Sequence, residues 1–444
     1  MKQYKTYKDS GVEWLGEIPE HWEVKRLKFL GDAIGGVTYA PKDIVENEEE
    51  GTLVLRSSNI QKGELYLEDN VYINTEIQEK KILRNGDILI CSRNGSRHLI
   101  GKNICIDERT EGETFGAFMM IFRSENSKFL YQFFNSPIFK SQSGLFLTAT
   151  INQLTSGTLN NFYIAIPKSP EEQTQIAKYL NYKIAELDKL IDKKEQLINL
   201  LQEERTAMIN QAVTKGLDLS VPTKDSGIEW LGEIPAHWEM KKLRYLGTNQ
   251  NGISEGAEFF GKGFPFISYS DVFKNRVLPI NVSGLANSNE KHWSNYSVEK
   301  GDVFFTRTSE TIEDIGMSSV CKKTINKATF AGFLIRFRPH KGKLDIDFSR
   351  YYFSCFIPRV FFVKEMNLVT RASLSQDLLK RLPVLIPSIK EQFKIAQYLN
   401  KKTEEIDFTL NNISKQIKQL KEYKTALISE VVTGKIDVRE EVLN

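Results

Sequence analysis

The segment Lys8–Gly31 reads KDSGVEWLGEIPEHWEVKRLKFLG, and nearly the same letters return at Lys224–Gly247 as KDSGIEWLGEIPAHWEMKKLRYLG. A second pair of similar segments follows at Ile176–Asn181 (IAKYLN) and Ile395–Asn400 (IAQYLN). The residues between these markers differ far more between the two halves. A chain that repeats its frame at a nearly constant offset is typical of two copies of one structural unit.

The composition is typical of a folded protein with several domains. The chain has 444 residues, of which 41% are hydrophobic and 26% charged, which leaves room for two to four domains. A formal net charge of +3 neither indicates nor excludes nucleic-acid binding, because local patches matter more than the sum. No signal-peptide pattern and no long apolar run are present. We therefore expect a cytoplasmic protein without membrane contact.

The cysteines and histidines lack the spacing of metal ligands. The five histidines are scattered, and no two cysteines form a CxxC pair. We expect reduced cysteines, some of them buried as small apolar residues, and no metal site. The four cysteines are Cys91, Cys105, Cys321 and Cys355.

Each half of the chain has the same order of elements. A tryptophan-rich opening segment precedes about 140 residues of mixed strand and loop, and a helix of about 40 residues follows. Strands are predicted at Thr52–Leu55, Asp87–Cys91 and Phe118–Phe122, with counterparts at Phe264–Ser268, Asp302–Thr306 and Phe333–Phe337. Helical stretches are predicted near Phe129–Ser141 and Phe348–Lys364. The predicted fold class is α+β, with two homologous mixed α/β domains joined by two long helices.

The repeat predicts seven segments along the chain. These are an opening segment (1–21), a first domain (22–168), a central helix (169–216), a repeated linker (217–238), a second domain (239–388), a C-terminal helix (389–434) and a tail (435–444).

The two long helices share one heptad frame. In Glu171–Ala212 and Glu391–Val431, apolar residues alternate four and three apart, and both helices end before a glycine, Gly216 or Gly434. The seam positions are Leu187, Ile191, Lys194, Ile198, Leu201, Arg205 and Met208, then Ile406, Leu410, Ile413, Ile417, Leu420, Lys424 and Leu427. One interpretation is that each helix packs on its own domain. The other, which the shared register favours, is an intramolecular antiparallel coiled coil.

The sequence contains no recognisable catalytic motif. Gly256–Gly263 approaches a phosphate-binding loop but has glycine where Mg²⁺ requires a hydroxyl, and no GxGxxG, GxSxG or HExxH occurs. The acidic pair Asp345 and Asp347 has no third ligand at a matched position, so we interpret both as solvated. No acid, base or nucleophile group is repeated in the two halves. A binding protein is therefore predicted rather than an enzyme.

This frame resembles the specificity subunit of Type I restriction–modification enzymes. The residues that carry the resemblance are Trp14–Trp22 and Trp230–Trp238, the turns Gly86-Asp87 and Gly301-Asp302, and the openings of both helices. Those openings are Pro167 with Glu172-Gln173 and Pro387 with Glu391-Gln392. The match covers essentially the whole chain. Lys194 and Arg205 interrupt the first seam and depart from a fully apolar helix pairing.

The resemblance implies a function in double-stranded DNA recognition and phage defence. Such subunits have two target-recognition domains that each read half of a split DNA sequence, while the helices set the gap. They recruit two modification subunits, which methylate adenine, and through these the restriction subunits. No cofactor is expected in this chain, whereas the partners use S-adenosylmethionine, ATP and Mg. Two alternatives remain: a specificity subunit of a combined nuclease–methyltransferase system, and a duplicated adaptor that never touches DNA.

Three polar segments in each half are candidates for DNA contact, because base readout requires directional donors and acceptors. Each could instead be an ordinary hairpin, an Asx-type turn or a helix cap. The first set is Ser92, Arg93, Asn94, Ser96, Arg97 and His98, paired with Thr306, Arg307, Thr308 and Ser309. The second is Arg56, Ser57, Ser58 and Asn59, paired with Ser268, Tyr269, Ser270 and Asp271. The third is Thr150 and Asn152, paired with Thr370, Arg371 and Ser373.

Other repeated residues are assigned to structure. Turns at Gly35–Thr38 and Asn251–Ser254 are weaker candidates, either plain turns or phosphate nests. The four repeated tryptophans cannot distinguish two half-sites, so we expect them to pack against helix ends or modification subunits. His21 and His237 are expected to be hydrogen-bonded structural residues.

Overall fold

The computed structural model describes residues 2–61, 63–146, 152–309, 311, 314–365 and 372–441. The chain forms two compact units. Unit 1 comprises Met1–Glu195 and Ser414–Asn444, and unit 2 comprises Gln196–Ile413. Each unit mixes strands and helices, which confirms the predicted α+β class.

Unit 1 contains fourteen short strands among the described residues and the start of a long helix. Its strands are β1 (Tyr7–Asp9), β2 (Glu17–Pro19), β3 (Trp22–Arg26), β4 (Asp32–Gly35), β5 (Ile44–Val45), β6 (Thr52–Leu55), β7 (Ile60–Gln61), β8 (Glu64–Leu65), β9 (Tyr72–Ile73), β10 (Ile88–Cys91), β11 (Asn103–Cys105), β12 (Thr114–Phe115), β13 (Met119–Arg123) and β14 (Tyr163–Pro167). Its helices begin with α1 (Ser127–Phe134), α2 (Pro137–Phe146), α3 (Ser156–Asn160) and α4 (Pro170–Lys215), whose last part lies in unit 2.

Unit 2 repeats this order with different lengths. Its strands are β15 (Thr223–Asp225), β16 (Glu233–Pro235), β17 (Glu239–Lys242), β18 (Gly247–Asn251), β19 (Phe260–Ile267), β20 (Leu285–Ala286), β21 (Val303–Thr306), β22 (Thr308–Ser309), β23 (Ser318–Val320), β24 (Thr329–Phe330), β25 (Leu334–Pro339), β26 (Ala372–Ser373) and β27 (Pro383–Ile386). Its helices are α5 (Tyr269–Lys274), α6 (Glu290–Asn295), α7 (Ile346–Tyr352), α8 (Phe356–Glu365), α9 (Gln376–Arg381) and α10 (Ile389–Val432), whose last part lies in unit 1.

The same four-stranded antiparallel sheet forms the centre of each unit. Its order is β11-β10-β13-β4 in unit 1 and β23-β21-β25-β18 in unit 2. A parallel pair lies beside each sheet, β6 with β12 and β19 with β24. An antiparallel pair precedes each long helix, β3 with β14 and β17 with β27. The two halves of the sequence therefore fold into equivalent topologies.

The repeated Gly-Asp turns form a buried clamp in each unit. Gly86 and Gly301 adopt positive φ angles of 92° and 98°, which glycine tolerates without strain. The following Asp87 is 2% exposed and accepts hydrogen bonds from Arg123 Nε at 2.8 Å and Nη2 at 2.6 Å. Asp302 holds Arg338 in the same bidentate geometry, at 2.6 and 2.7 Å. The turn therefore fixes the start of one central strand to the end of its neighbour.

The second tryptophan of each repeat closes the core against a helix opening. Trp22 and Trp238 are fully buried, and their indole Nε1 atoms donate to Glu172 and Glu391 at 3.0 Å. His21 Nε2 lies 2.9 Å from Glu172 Oε2, and the equivalent distance from His237 to Glu391 is 3.1 Å. This confirms the structural interpretation of both tryptophans and both histidines.

The long helices are antiparallel within each unit. In unit 1, Lys424 Nζ contacts Asp188 at 2.7 Å and Lys421 Nζ contacts Glu195 at 3.0 Å, so one helix descends as the other rises. In unit 2, Arg205 contacts Asp407 at 3.1 Å. All fourteen predicted seam positions are buried or half-buried. The coiled-coil interpretation is confirmed. Each of the three seam cations contacts a polar residue of the opposite helix: Lys424 and Arg205 through the ion pairs above, and Lys194 by donating to Gln416 at 2.7 Å.

Several predicted element boundaries were wrong. The stretch Phe129–Ser141 is not one helix but two, α1 and α2, because the chain turns at Asn135-Ser136 and restarts at Pro137. Its counterpart Phe348–Lys364 is also two helices, α7 and α8, which a turn at residues 353–355 separates. The strands predicted to start at Phe118 and Phe333 start one residue later, at Met119 and Leu334. A tight turn precedes each of them, with Met119 N donating to Gly116 O at 2.8 Å and Leu334 N to Ala331 O at 2.9 Å.

Candidate nucleic-acid interface

The first candidate segment leaves the end of a central strand in both units. Ser92 N and Arg93 N donate to the Phe118 carbonyl at 2.9 and 3.0 Å, and Leu154 N donates to the Ser92 carbonyl at 2.7 Å. In unit 2, Arg307 N donates to the Phe333 carbonyl at 2.9 Å. Leu374 N completes the same pattern by donating to the Arg307 carbonyl at 2.7 Å. Ser92 and Arg307 therefore occupy equivalent positions.

The second segment begins at the end of β6 or β19 and is closed by its own fourth residue. Asn59 Oδ1 accepts from Arg56 N at 2.9 Å, and Asp271 Oδ2 accepts from Ser268 N at 2.8 Å. Ser268 also caps α5, its hydroxyl accepting from Asp271 N at 3.3 Å. The two residues inside each turn, Ser57 and Ser58 in unit 1 and Tyr269 and Ser270 in unit 2, are half-buried or exposed.

The third segment joins the first and precedes a short helix. In unit 1, Arg93 pairs with Gln153 in an isolated bridge, and Asn152 Nδ2 donates to Gly95 O at 3.3 Å. In unit 2 the equivalent contact is a two-strand ladder, β22 with β26, in which Thr308 faces Ser373. The hydroxyls of Thr155 and Ser375 cap α3 and α9, as the capping alternative predicted for this segment.

The three segments form one surface in each unit, which the sequence did not predict. In unit 1, Asn94 Nδ2 donates to Ser57 Oγ at 3.4 Å and Lys102 Nζ to Ser57 O at 3.3 Å, which joins the first segment to the second. In unit 2, helix α5, which begins at Tyr269, packs against strand β21, which ends at Thr306, and this contact joins the second segment to the first. Burial raises the pKa of the Tyr269 phenol.

The predicted residues differ in their exposure. Three candidates lie outside the described residues: Thr150, Thr370 and Arg371. The exposed candidates are Arg93, Ser96, Arg97, His98, Ser270 and Ser373. The half-buried candidates are Arg56, Ser57, Ser58, Asn94, Asn152, Ser268, Tyr269, Asp271, Arg307, Thr308 and Ser309.

Three candidates are buried and shape the loops instead of facing solvent. Asn59 is fully buried, with its amide donating to Tyr66 O at 3.0 Å. Ser92 is 5% exposed and donates its hydroxyl to Phe118 O at 2.9 Å. Thr306 is fully buried and its Oγ1 accepts from Met317 N at 2.9 Å. Their polar atoms are used inside the protein, which corrects the expectation that these side chains face DNA.

The three candidate arginines of unit 1 have weak partners that a ligand can replace. Arg93 lies over the Phe118 ring at 5.2 Å from its centroid. Arg56 Nη2 contacts the exposed Asp69 carboxylate at 3.0 Å, and Arg97 Nη2 donates to Gly144 O at 3.0 Å. Exposed ion pairs contribute about 1 kcal/mol or less, so exchange of these partners for phosphate or a base costs little.

Two phenylalanines in this surface were not among the sequence candidates. Phe118 is 59% exposed and Phe333 is 62% exposed, at equivalent turns. Phe118 lines a groove of about 450 Å³ together with Thr38, Arg56, Ser57 and Ser58. The available signal was the phenylalanine shared by TFGAFMMIFR and TFAGFLIRFR, which strand periodicity alone assigned to a strand.

The turns at Gly35–Thr38 and Asn251–Ser254 support these phenylalanine turns from behind. A Cβ atom on Gly36 would lie 2.1 Å from Gly116 O, and one on Gly252 would lie 2.2 Å from Ala331 O. Both glycines are therefore required by close backbone packing. The amides of Gly36, Val37, Gly252 and Ile253 donate to backbone carbonyls, which favours the plain-turn interpretation.

Among the described residues, no group of three or more histidine, cysteine or carboxylate side chains could hold a metal ion. Over the same part of the chain, no helix is long and apolar enough to cross a membrane.

A family model described as the Type I restriction modification DNA specificity domain matches residues 19–202 and again residues 235–419. The Type I restriction enzyme EcoKI specificity subunit of Escherichia coli (strain K12) is 27% identical over 416 residues, which cover 90% of this chain and 85% of that protein.

Solved structures share the fold at low sequence identity. A chain from a study of complex assembly and conformational transition of the type I R-M system is 15% identical, with a TM-score of 0.70 over 94% of this chain and 99% of that one. The HsdS subunit from Thermoanaerobacter tengcongensis is 14% identical, with a TM-score of 0.57 over 94% of this chain and 98% of that one.

Proposed function

The chain belongs to the Type I restriction modification DNA specificity family, and we propose that each of its two units reads one half of a bipartite DNA target. DNA sequence recognition is its function within a Type I restriction–modification system.

One observation supports the assignment of one half-site to each unit. The same hydrogen bonds hold the first segment in both units, from Leu154 N to Ser92 O and from Leu374 N to Arg307 O, each at 2.7 Å. The exposed or half-buried side chains there are different, Arg93 and Asn94 in unit 1 and Arg307, Thr308 and Ser309 in unit 2. Because base contacts depend on donor and acceptor type, one scaffold with two polar sets supports two different half-sites.

The long helices suit the spacing role. They contain 46 and 44 residues, and their paired seam fixes the register of one helix on the other. A helix rises about 1.5 Å per residue, so its length translates directly into distance. Binding from one face of the duplex favours half-site centres separated by about one helical turn, roughly 34–36 Å.

The repeated frame offers equivalent exposed apolar side chains for two modification subunits. Phe29 is 69% exposed in unit 1 and Tyr245 is 60% exposed in unit 2, at matching positions of the opening repeat. Exposed apolar groups of this kind mark protein contacts, and their presence in both copies fits two identical partners.

Catalysis and cofactors are assigned to the partners. We propose that the modification subunits supply S-adenosylmethionine chemistry and that restriction subunits, bound through them, use ATP and Mg. This chain then contributes recognition and assembly without a reaction of its own, in the cytoplasm where its DNA target is found.

Footprinting of the assembled complex tests the proposal. We expect two protected patches on duplex DNA, separated by an unprotected or weakly protected gap, at the sequence that the host methylates in both half-sites. Methylome sequencing of a host that carries the system identifies that sequence. A complex that assembles with its modification subunits and leaves DNA unprotected contradicts the proposal and identifies the chain as an adaptor.

A further inference from the structure

The turns that contain Phe118 and Phe333 are held by several backbone hydrogen bonds, although the two phenylalanine rings are largely exposed. The turn Gly116–Met119 is bonded from three sides: Gly36 N donates to Met119 O at 3.2 Å, and Gly116 N to Leu55 O at 3.0 Å. The third contact comes from Ser92 N to Phe118 O at 2.9 Å.

The turn of unit 2 is held in the same way. Gly252 N donates to Leu334 O at 3.2 Å, Ala331 N to Ile267 O at 3.0 Å, and Arg307 N to Phe333 O at 2.9 Å. These bonds hold the backbone at Phe118 and Phe333, so each ring projects outward from an anchored turn.

The surroundings of the ring select its ligand. The groove beside Phe118 is lined by one cation, Arg56, several hydroxyls and no carboxylate. Arg93 lies over the ring itself. A surface that combines arginine, hydroxyls and an exposed aromatic ring suits nucleic acid, whose phosphates need cations and whose bases have apolar faces.

The repetition of the ring excludes a role in telling half-sites apart. Phe118 and Phe333 are the same residue at the same turn, whereas the neighbouring polar residues differ between the units. A phenylalanine that both units share is therefore expected to make the same kind of contact at both half-sites.

We propose that Phe118 and Phe333 make equivalent contacts to DNA bases that do not depend on the base sequence. Each ring inserts against the base stack, beside the DNA groove that the polar segments of the same unit read. Apolar side chains inserted at base steps unstack and bend the duplex, which brings more of the protein into contact with it. This inference rests on the proposed DNA-recognition function and adds to it a contribution from bending of the duplex.

The test uses the full complex with modification subunits and a cognate duplex carrying 2-aminopurine at successive positions of each half-site. The variants are Phe118→Ala and Phe333→Ala, with Phe118→Leu as the conservative change. Matched controls are Ile44→Ala and Ile280→Ala, which remove exposed apolar side chains of the same units, 46% and 58% exposed.

We expect each alanine variant to weaken cognate binding about 10- to 100-fold, as loss of base–aromatic contact does. The 2-aminopurine fluorescence increase should disappear in one half-site only, while the preferred bases of both half-sites stay the same. Phe118→Leu should keep part of the affinity, and both controls should bind within about twofold of the parent.

Three outcomes overturn the inference. Unchanged affinity and fluorescence would show that the rings do not meet DNA. A changed base preference in one half-site would make the ring a reader of thymine methyl groups. Loss of modification subunits from the complex would make it a protein contact. If the parent complex itself fails to distinguish cognate from scrambled DNA, the proposed function fails instead.

Discussion

Units 1 and 2 share one scaffold and differ in how the recognition segments are closed. After β10, the segment is held by the Arg93–Gln153 bridge and by side-chain bonds such as that of Asn94 to Ser57. After β21, the same path forms a ladder in which Thr308 faces Ser373 and Ser309 faces Ala372. The backbone hydrogen bonds that carry the segments are the same in both units. The comparison shows that side chains at these segments change without changes in the frame.

The scaffold is the same in both units because its buried polar groups form hydrogen bonds with one another. The Asp87–Arg123 and Asp302–Arg338 clamps and the Trp22–Glu172 and Trp238–Glu391 bonds each leave a buried polar group unpaired when one partner is lost. That loss is costly, so these positions resist change. The recognition segments project such groups toward solvent, where substitution costs little.

Exchange of the first recognition segment is expected to have the largest effect. Replacing Ser92–His98 should change the sequence read in one half-site and leave the other intact, because each unit reads its own half. Each mismatched base costs about 1–3 kcal/mol, so recognition of the old half-site should be lost almost completely. Methylome sequencing measures both halves at once. A change in both half-sites would contradict one unit per half-site.

Removal of one heptad from each long helix should alter the gap alone. Deleting residues 192–198 of α4 and 414–420 of α10, which removes the Lys194–Gln416 contact with them, takes one full heptad from each helix and so keeps the remaining seam positions in register. Seven residues correspond to about 10 Å, so the gap between half-sites should shorten by up to about three base pairs. The sequenced methylation motif reports the gap, and altered half-site sequences would refute the spacing role.

The two buried clamps should be equally sensitive. Asp87→Asn in unit 1 and Asp302→Asn in unit 2 each remove a charge that pairs with a partly buried arginine, at an expected cost of about 3 kcal/mol in unfolding free energy. An arginine guanidinium does not lose its proton in a protein, so Arg123 stays charged after its carboxylate partner has been removed.

Chemical denaturation measures the clamp prediction. Asp107→Asn is the matched control, because the Asp107–Arg109 pair is exposed on both sides and its loss is expected to leave the unfolding free energy almost unchanged. Unequal losses for the two clamp variants would break the equivalence of the units.

The seam cations should matter least for stability. Lys424→Met in unit 1 and Arg205→Met in unit 2 replace half-buried cations whose partners, Asp188 and Asp407, are each 47% exposed and remain hydrated. We expect unfolding free energies to change by about 1 kcal/mol or less, since the lost ion pair is offset by apolar packing. Thermal unfolding of both variants tests this, and a loss of several kcal/mol in either unit would assign the cations a dominant role in the pairing.

The sequence by itself determined the duplication, the two long helices and the two inner strands of each central sheet. The helices observed at Pro170–Lys215 and Ile389–Val432 extend only a few residues beyond the predicted ranges, and every predicted seam position is at least half-buried. These features are local or repeated, because heptad spacing and strand alternation follow from which side chains face the core within a single element. The resemblance then supplied the family and its function.

Only the tertiary structure decided which polar residues share a surface and which lie inside it. Arg56–Asn59, Ser92–His98 and Asn152 are distant in sequence and meet because parallel and antiparallel strand ends converge at one edge. Asn59, Ser92 and Thr306 turned inward because buried backbone groups need partners from those loops. Phe118 and Phe333 turned outward because a tight turn interrupts the strand pattern one residue before β13 and β25. Such outcomes depend on hydrogen bonds between distant segments, which no local pattern of residues encodes.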